Sequence, residues 1–385
     1  MKIKPISFTL CILATAILTA CGGGSSSTSG NVDTVSTAAS SNLTAIGANT
    51  ISADANTESF DVLASIGDTW RFTVNKTTGA YTLTPNNSQY ALAQESGTLT
   101  RTLSGDVVSY ALANKISLTQ DTRTGALMGS MTVGSQTASV SGTPYQVADA
   151  SKLSGIYTFM GTTRDKVGGG NAELIPGQLL ISNDGSSATL CIGGQVDSSA
   201  NCIDVDQSDG KAPEKGVISI SKDTGTNGGF YKLTIMGSDN QMHDFGNLLV
   251  SNGNLGTVLL IDRFGLGNSG VSNTIRVGNF YAVKSQTLKG TEMDGTWKCN
   301  TTNGTATLVA SGTTNNISNP NETPSSWTEV LTYNTVNSSN NLNLNYPGFM
   351  ISTYNSSSAL LLPLSASMAV VENQSVNGIG ICIKQ

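Results

Sequence analysis

The sequence predicts an all-β protein: two or three antiparallel sandwich- or barrel-like modules after a flexible Gly/Ser tether. Three observations carry this. Short runs alternate apolar and polar residues with period two, as where Trp70, Phe72 and Val74 alternate with Arg71, Thr73 and Asn75. Turn-forming clusters such as Asn183-Asp184-Gly185 and Ser251-Asn252-Gly253-Asn254 separate the runs. Charged residues make up only 12% of the chain, aromatic residues 6%, and 42 residues are Gly. That composition suits sheet faces and turns rather than helices, and helical periodicity never persists beyond about two turns.

The chain opens on Lys2 and Lys4, followed by the uncharged, largely apolar run from Ile6 to Leu18. This run is shorter than the ~20 residues that cross a membrane and has the proportions of a signal peptide, assigned to residues 1–20. Leu18-Thr19-Ala20-Cys21 then precedes Gly22-Gly23-Gly24-Ser25-Ser26-Ser27. The tetrapeptide resembles the lipobox of bacterial lipoproteins. The resemblance implies cleavage between Ala20 and Cys21 and lipidation of Cys21 by acyl chains such as palmitate. Gly22, rather than Asp, after the cysteine implies transfer to the outer membrane. Each buried acyl CH₂ contributes ~0.8 kcal/mol, so several chains on one cysteine anchor stably. Residues 21–40 read as the lipidated Cys with a flexible linker.

The first module is expected over 41–147. Its clearest piece is a hairpin in which Asn75-Lys76-Thr77-Thr78-Gly79 turns the chain toward Tyr81 and Leu83. The design recurs with Ile116 and Leu118, the turn Asp121-Thr122-Arg123-Thr124-Gly125, then Met131 and Val133, which suggests a meander. The second module, 148–288, begins with one helical turn over 148–154. Eight strands follow, over 156–160, 178–182, 188–192, 216–221, 230–235, 247–250, 257–261 and 275–283, enough for a sandwich or a barrel. The third, 289–385, has strands over 327–336, 342–344, 349–354, 359–364 and 379–383, with an Asn-rich loop over 315–321. Met293-Asp294-Gly295-Thr296-Trp297 echoes Leu153-Ser154-Gly155-Ile156-Tyr157, a hint of two related modules. The Cys-Gly-Gly-Gly start and Gly-aromatic strands resemble uncharacterised β-rich proteobacterial lipoproteins, which implies no particular activity.

Four cysteines remain in the exported chain: Cys191, Cys202, Cys299 and Cys382. An even number in an oxidising compartment reads as disulfides, paired near with near as Cys191–Cys202 and Cys299–Cys382. They lack the C-x-x-C spacing of a zinc site.

Charge narrows the partners. Lys2 and Lys4 leave with the signal peptide, so 18 basic residues stand against 26 acidic ones and the mature net charge is −8. That argues against nucleic acid. The single histidine, His243, is in a polar loop and has no G-x-S-x-G elbow to serve. Gly265-Leu266-Gly267-Asn268-Ser269-Gly270 matches a dinucleotide-binding pattern, but a strand rather than a helix follows it. Asp204, Asp206 and Asp209 form a weak calcium candidate without EF-hand spacing. Asp262, if buried, is expected to pair with Arg263 or Arg276. Trp70, Trp297 and Trp327 are candidates for a sugar-binding face, but Trp70 and Trp297 take inward-looking positions of alternating strands and are expected in cores.

The reading is therefore a membrane-anchored envelope lipoprotein with a non-enzymatic binding or structural role. It needs no cofactor or metal, and its ligand is a protein or a glycan. Two alternatives stay open: a hydrolase acting on an envelope polymer or polysaccharide, and an accessory subunit of an outer-membrane assembly.

Overall fold

Period-two alternation decides most of the architecture, because it gives each strand one face to bury. The computed structural model describes residues 37–385 except 53, 167–172, 205–211, 225–228, 238, 267–274, 302–303, 337–344, 356 and 374–377. Outside the described residues lie the signal peptide with Cys21, Asp206 and Asp209 of the acidic loop, 267–270 of the glycine-rich motif, and the predicted strand 342–344. Residues 33–385 cluster as one unit. Its described secondary structure is β apart from helix α1 (Thr37–Ala45) and a 3-10 turn (Ala150–Leu153).

Helix α1 corrects the assignment of 37–40 to a flexible linker. Ala39 is fully buried, and its carbonyl accepts from Asn252 Nδ2 at 2.8 Å. Asn42 Nδ2 donates to Asn252 Oδ1 at 2.7 Å. Contacts more than 200 residues away in sequence hold a helix too short to persist alone.

The first module holds β1 (Ala48–Thr50), β2 (Thr57–Ala64), β3 (Asp68–Asn75), β4 (Ala80–Asn87), β5 (Glu95–Thr98), β6 (Thr100–Ser104), β7 (Val107–Leu112), β8 (Ile116–Asp121), β9 (Leu127–Val133), β10 (Gln136–Thr143) and β11 (Tyr145–Val147). Strands β2–β10 form an antiparallel sheet in the order β5-β4-β3-β2-β10-β9-β8-β7-β6, and β1 pairs with β11. The sheet curls onto its own apolar face. Phe60 on β2 meets Tyr110 on β7 edge to face at 6.1 Å, although three strands separate them in the sheet. Glu58 on β2 accepts from Arg101 Nη2 at 2.9 Å and from Tyr110 Oη at 2.7 Å.

The second module is a closed barrel of eight antiparallel strands: β12 (Gly155–Asp165), β13 (Glu173–Ile181), β14 (Ser187–Ile192), β17 (Glu214–Lys222), β18 (Tyr231–Met236), β19 (Met242–Gly253), β20 (Gly256–Leu266) and β21 (Ile275–Lys284). A small ribbon of β15 (Gln195–Val196) and β16 (Cys202–Ile203) branches from it, and the Cys191–Cys202 disulfide ties that ribbon to β14.

A second eight-stranded barrel makes the third module: β22 (Gly295–Thr301), β23 (Gly304–Ser311), β24 (Thr314–Ser318), β25 (Ser326–Tyr333), β26 (Met350–Tyr354), β27 (Ser357–Pro363), β28 (Met368–Asn373) and β29 (Gly378–Lys384). Strand β24 corrects the Asn-rich loop: Asn315 and Ile317 are buried while Thr314, Asn316 and Ser318 are exposed, the alternation of a strand. Polar composition hid it. Strands β23 and β28 escaped the sequence reading because small residues, such as Thr305-Ala306-Thr307, blur the contrast between faces.

The two barrels begin on one device. Tyr157 Oη donates to Leu153 O at 2.8 Å, and Trp297 Nε1 donates to Met293 O at 2.6 Å. Lys284 sits 5.0 Å from the Tyr157 ring and Lys384 5.8 Å from the Trp297 ring. Gly155 and Gly295 both have φ of +120°, and a Cβ at either would strike that lysine. The short sequence echo therefore marks a structural repeat.

Candidate functional site

The repeat allows the two interiors to be compared position by position. On the closing strands Tyr157 pairs with Lys284, as Trp297 pairs with Lys384. Counting two residues inward, Phe159 corresponds to Cys299; counting four back from the lysine, Phe280 corresponds to Gly380. In the first barrel Phe159 and Phe280 stack at 5.6 Å and, with Phe245, Leu179 and Leu190, fill the lumen. In the second, a disulfide sulfur and a glycine take the places of the two rings. Small residues (Ala306, Ser352, Ala359) line the same region, and the result is a partly open cavity of about 520 Å³. Trp297, Leu331 and Met350 are buried in the core of the same barrel. Eight strands give a lumen wide enough for one small ligand when side chains do not fill it.

The wall of this cup is mixed. Leu308, Ile317, Leu361 and Val371 supply apolar surface. The Trp327 and Tyr354 rings pack at 6.2 Å between centroids with a 50° tilt. The Glu329 carboxylate accepts from Trp327 Nε1 at 2.7 Å and from the Ser352 hydroxyl. Asn315 is 1% exposed, and its Oδ1 has no hydrogen-bond partner. Glu372 follows the inward-facing Val371 and accepts from Leu360 N at 2.9 Å; burial pushes its carboxyl up, and that hydrogen bond partly offsets the rise. Among the described residues, no Lys, Arg or His lines the cup. A second, larger space of about 800 Å³ lies where the three modules meet, with serine and threonine hydroxyls from β7–β10 on one side.

The residues singled out from sequence lie elsewhere, with one exception. Asp262 is fully buried on the outer wall of the first barrel, but its hydrogen bond comes from Thr69 Oγ1 at 2.9 Å, in the neighbouring module. This corrects the expected ion pair. Arg263, next along the strand, points the other way and donates to Phe245 O at 3.0 Å over the Phe245 ring. Arg276 binds Asp165 and Glu173 at 3.0 and 2.9 Å. His243 is in β19 rather than a loop, and its Nε2 lies 2.9 Å from the Asp239 carboxylate on the exposed side. Gly265 and Leu266 end β20. Among the described residues, no group of three metal-ligating side chains converges. Trp70 and Trp297 are fully buried; Trp327 is in the cup. Asn315, Glu329, Ser352 and Tyr354 escaped sequence reading. The one signal for them was the period-two contrast within 326–333, which places Trp327, Glu329 and Leu331 on one face.

No protein-family model matches the chain, and no curated protein matches it. Among solved structures, a double mutant of transferrin binding protein B from Haemophilus parasuis Hp5 aligns at 11% identity over 82% of this chain, with a TM-score of 0.19. This chain covers 64% of that protein's length. Intact Ap-TbpB, with its N and C lobes, aligns at 10% identity over 86% of this chain and 76% of its own, with a TM-score of 0.16. Neither superposition reaches the level at which two folds are alike.

Proposed function

We propose that this chain is a lipid-anchored protein of the bacterial cell envelope that binds a small molecule without transforming it, and that the cup of the second barrel is the binding site. The cup carries the proposal. Two barrels start on the same device, one has a lumen filled with stacked rings, and the other keeps about 520 Å³ open behind an aromatic pair. Concave, mostly apolar sites with a few placed polar groups are the usual form of small-molecule sites. The lipobox-like Leu18-Thr19-Ala20-Cys21 supports the anchor.

Two variants test the two halves. Cys21→Ala is expected to move the protein from the membrane fraction to the soluble fraction; a variant that stays in the membrane contradicts the anchor. Ala359→Phe places a ring in the cup and is expected to abolish small-molecule binding measured by calorimetry while the circular dichroism spectrum stays all-β.

A hydrolytic reading has one observation in its favour: Glu322, Glu329 and Glu372 line the same cup. Glu329 is engaged by two donors and Glu372 by a backbone N–H, so neither presents the unencumbered acid–base pair that glycoside cleavage uses. Turnover of an envelope polysaccharide that Glu329→Gln abolishes would establish the hydrolase instead.

A further inference from the structure

The geometry points to an organic cation as the ligand class, an aromatic or alkyl body carrying an ammonium or other fixed positive charge. This rests on the reading of the cup as the binding site.

Among the described residues, the wall of the cup offers acceptors and lacks cations. Three carboxylates line the cup, and among the described residues no cationic side chain does. An anion entering it would meet only like charge, at a cost that desolvation raises. Asn315, buried and aimed into the cup from β24, leaves Oδ1 without a donor. A buried acceptor left unmet is costly, so the missing partner is a donor carried by whatever fills the space, an N–H, an O–H or a C–H polarised by an adjacent cationic nitrogen. Trp327 and Tyr354 line the cup with ring centroids 6.2 Å apart, and Trp327 Nε1 already points at the Glu329 carboxylate. Ring faces attract a cation within ~6 Å of the ring centroid, and the adjacent carboxylate adds a Coulombic partner. Leu308, Ile317 and Leu361 suit the apolar body. Acceptors, aromatic faces and negative charge therefore converge on one chemical class. A neutral sugar would use the same rings but would gain nothing from the excess of carboxylates.

The probes are berberine, an aromatic quaternary cation, and 8-anilinonaphthalene-1-sulfonate, an aromatic anion of comparable breadth. Binding to the full exported chain is measured by calorimetry and by quenching of tryptophan emission. Trp327 is the only partly exposed tryptophan, since Trp70 and Trp297 are fully buried, so quenching reports the cup. Berberine is expected to bind roughly tenfold or more tightly than the sulfonate, and added salt is expected to weaken it. Glu329→Gln keeps an acceptor for Trp327 and is expected to weaken berberine roughly tenfold without weakening the sulfonate. Ala359→Phe is expected to weaken both probes. Equal affinities for the two probes in the native chain, or a folded Glu329→Gln variant that binds berberine as tightly as before, overturn the cation while Ala359→Phe still blocks the cup. Binding of neither probe, or binding indifferent to Ala359→Phe, overturns the cup as the site and the cation with it. The native-chain ratio needs no variant, so a Glu329→Gln protein that fails to fold leaves the test intact.

Discussion

A carboxyl group shut away from water destabilises the fold when ionised unless donors meet it. Asp262 is fully buried between the first barrel and the curled sheet, and it has one donor, Thr69 Oγ1, which itself accepts from Asn247 Nδ2 at 2.7 Å. Asn247, Asp262 and Asn279 are cross-strand neighbours on β19, β20 and β21. Asp262 Oδ1, Asn247 Oδ1 and both polar atoms of the Asn279 side chain have no partner. Burial pushes the Asp262 carboxyl well above its ordinary 3.8, Thr69 lowers it, nearby Asp68 raises it further and Arg263 lowers it. The sign follows. The folded state holds this proton more tightly than the unfolded state, so the stability it contributes is full below pH 3.8 and is lost as pH rises toward the folded value. Asp262→Asn removes the ionisation and offers a donor to the row. It is expected to raise unfolding free energy by about 1–3 kcal/mol at neutral pH, with the gain shrinking toward zero near pH 4 in urea titrations. A gain equal at both pH values would show that the carboxyl is not titrating between them. The sequence marked Asp262 but misassigned its partner for a simple reason. Arg263 is adjacent, and adjacent strand residues face opposite sides, whereas Thr69 lies 193 positions away.

At the scale of elements, closure of the second barrel depends on pairing β22 with β29, the first strand with the last, and Cys299 is bonded to Cys382 across that pair. The bridge spans 83 residues, so on loop-entropy grounds it contributes about 4.5 kcal/mol, against about 3 for the 11-residue Cys191–Cys202 bridge. Replacing both Cys299 and Cys382 with Ala is expected to lower unfolding free energy by roughly 3–5 kcal/mol, read from denaturant midpoints, and the Cys191/Cys202 counterpart by less. The reverse ranking would place the stabilisation in local strain rather than in chain closure. Both bridges were legible because exported chains leave few uses for an even set of cysteines. All eight strands of the first barrel were legible too, because their apolar runs are long and bounded by turn residues. The second barrel was harder to read for the reason that makes it hollow. Ala306, Ser352, Ala359 and Gly380 give weak contrast between inside and outside, and a strand such as β24, which buries an asparagine, reads as loop.

Across the whole molecule, the three modules are joined by one apolar cluster rather than by linkers. Leu63 and Met128 from the curled sheet, Leu249, Leu260 and Tyr281 from the outer wall of the first barrel, and Tyr346, Phe349 and Leu362 from the second barrel all belong to it. Polar contacts surround it: Thr143 Oγ1 donates to Val250 O at 2.9 Å, Thr158 Oγ1 to Pro347 O at 2.7 Å, and Arg123 Nη2 to Lys384 O at 3.4 Å. The sequence carried a sign of this joint in Leu248-Leu249-Val250 and Val258-Leu259-Leu260-Ile261, where apolar residues occupy both faces of a strand instead of alternate positions. A strand apolar on both faces is covered on both. One face fills the first barrel and the other meets its neighbours, so the barrel wall serves two cores at once. The intact protein is therefore expected to unfold in a single calorimetric transition. Phe349 is fully buried in the joint and packs edge to face on Tyr346 at 5.1 Å. Phe349→Ala should cost about 3–5 kcal/mol, the usual range for a buried ring. Because the loss falls on the contact between modules, it should also split the transition, with the second barrel melting first and the sheet with the first barrel following near the native midpoint. A variant scan that shifts as one peak would show that the cooperativity resides in the polar contacts and backbone pairing around the joint, and two resolved peaks in the native protein would show that the barrels are independent from the outset.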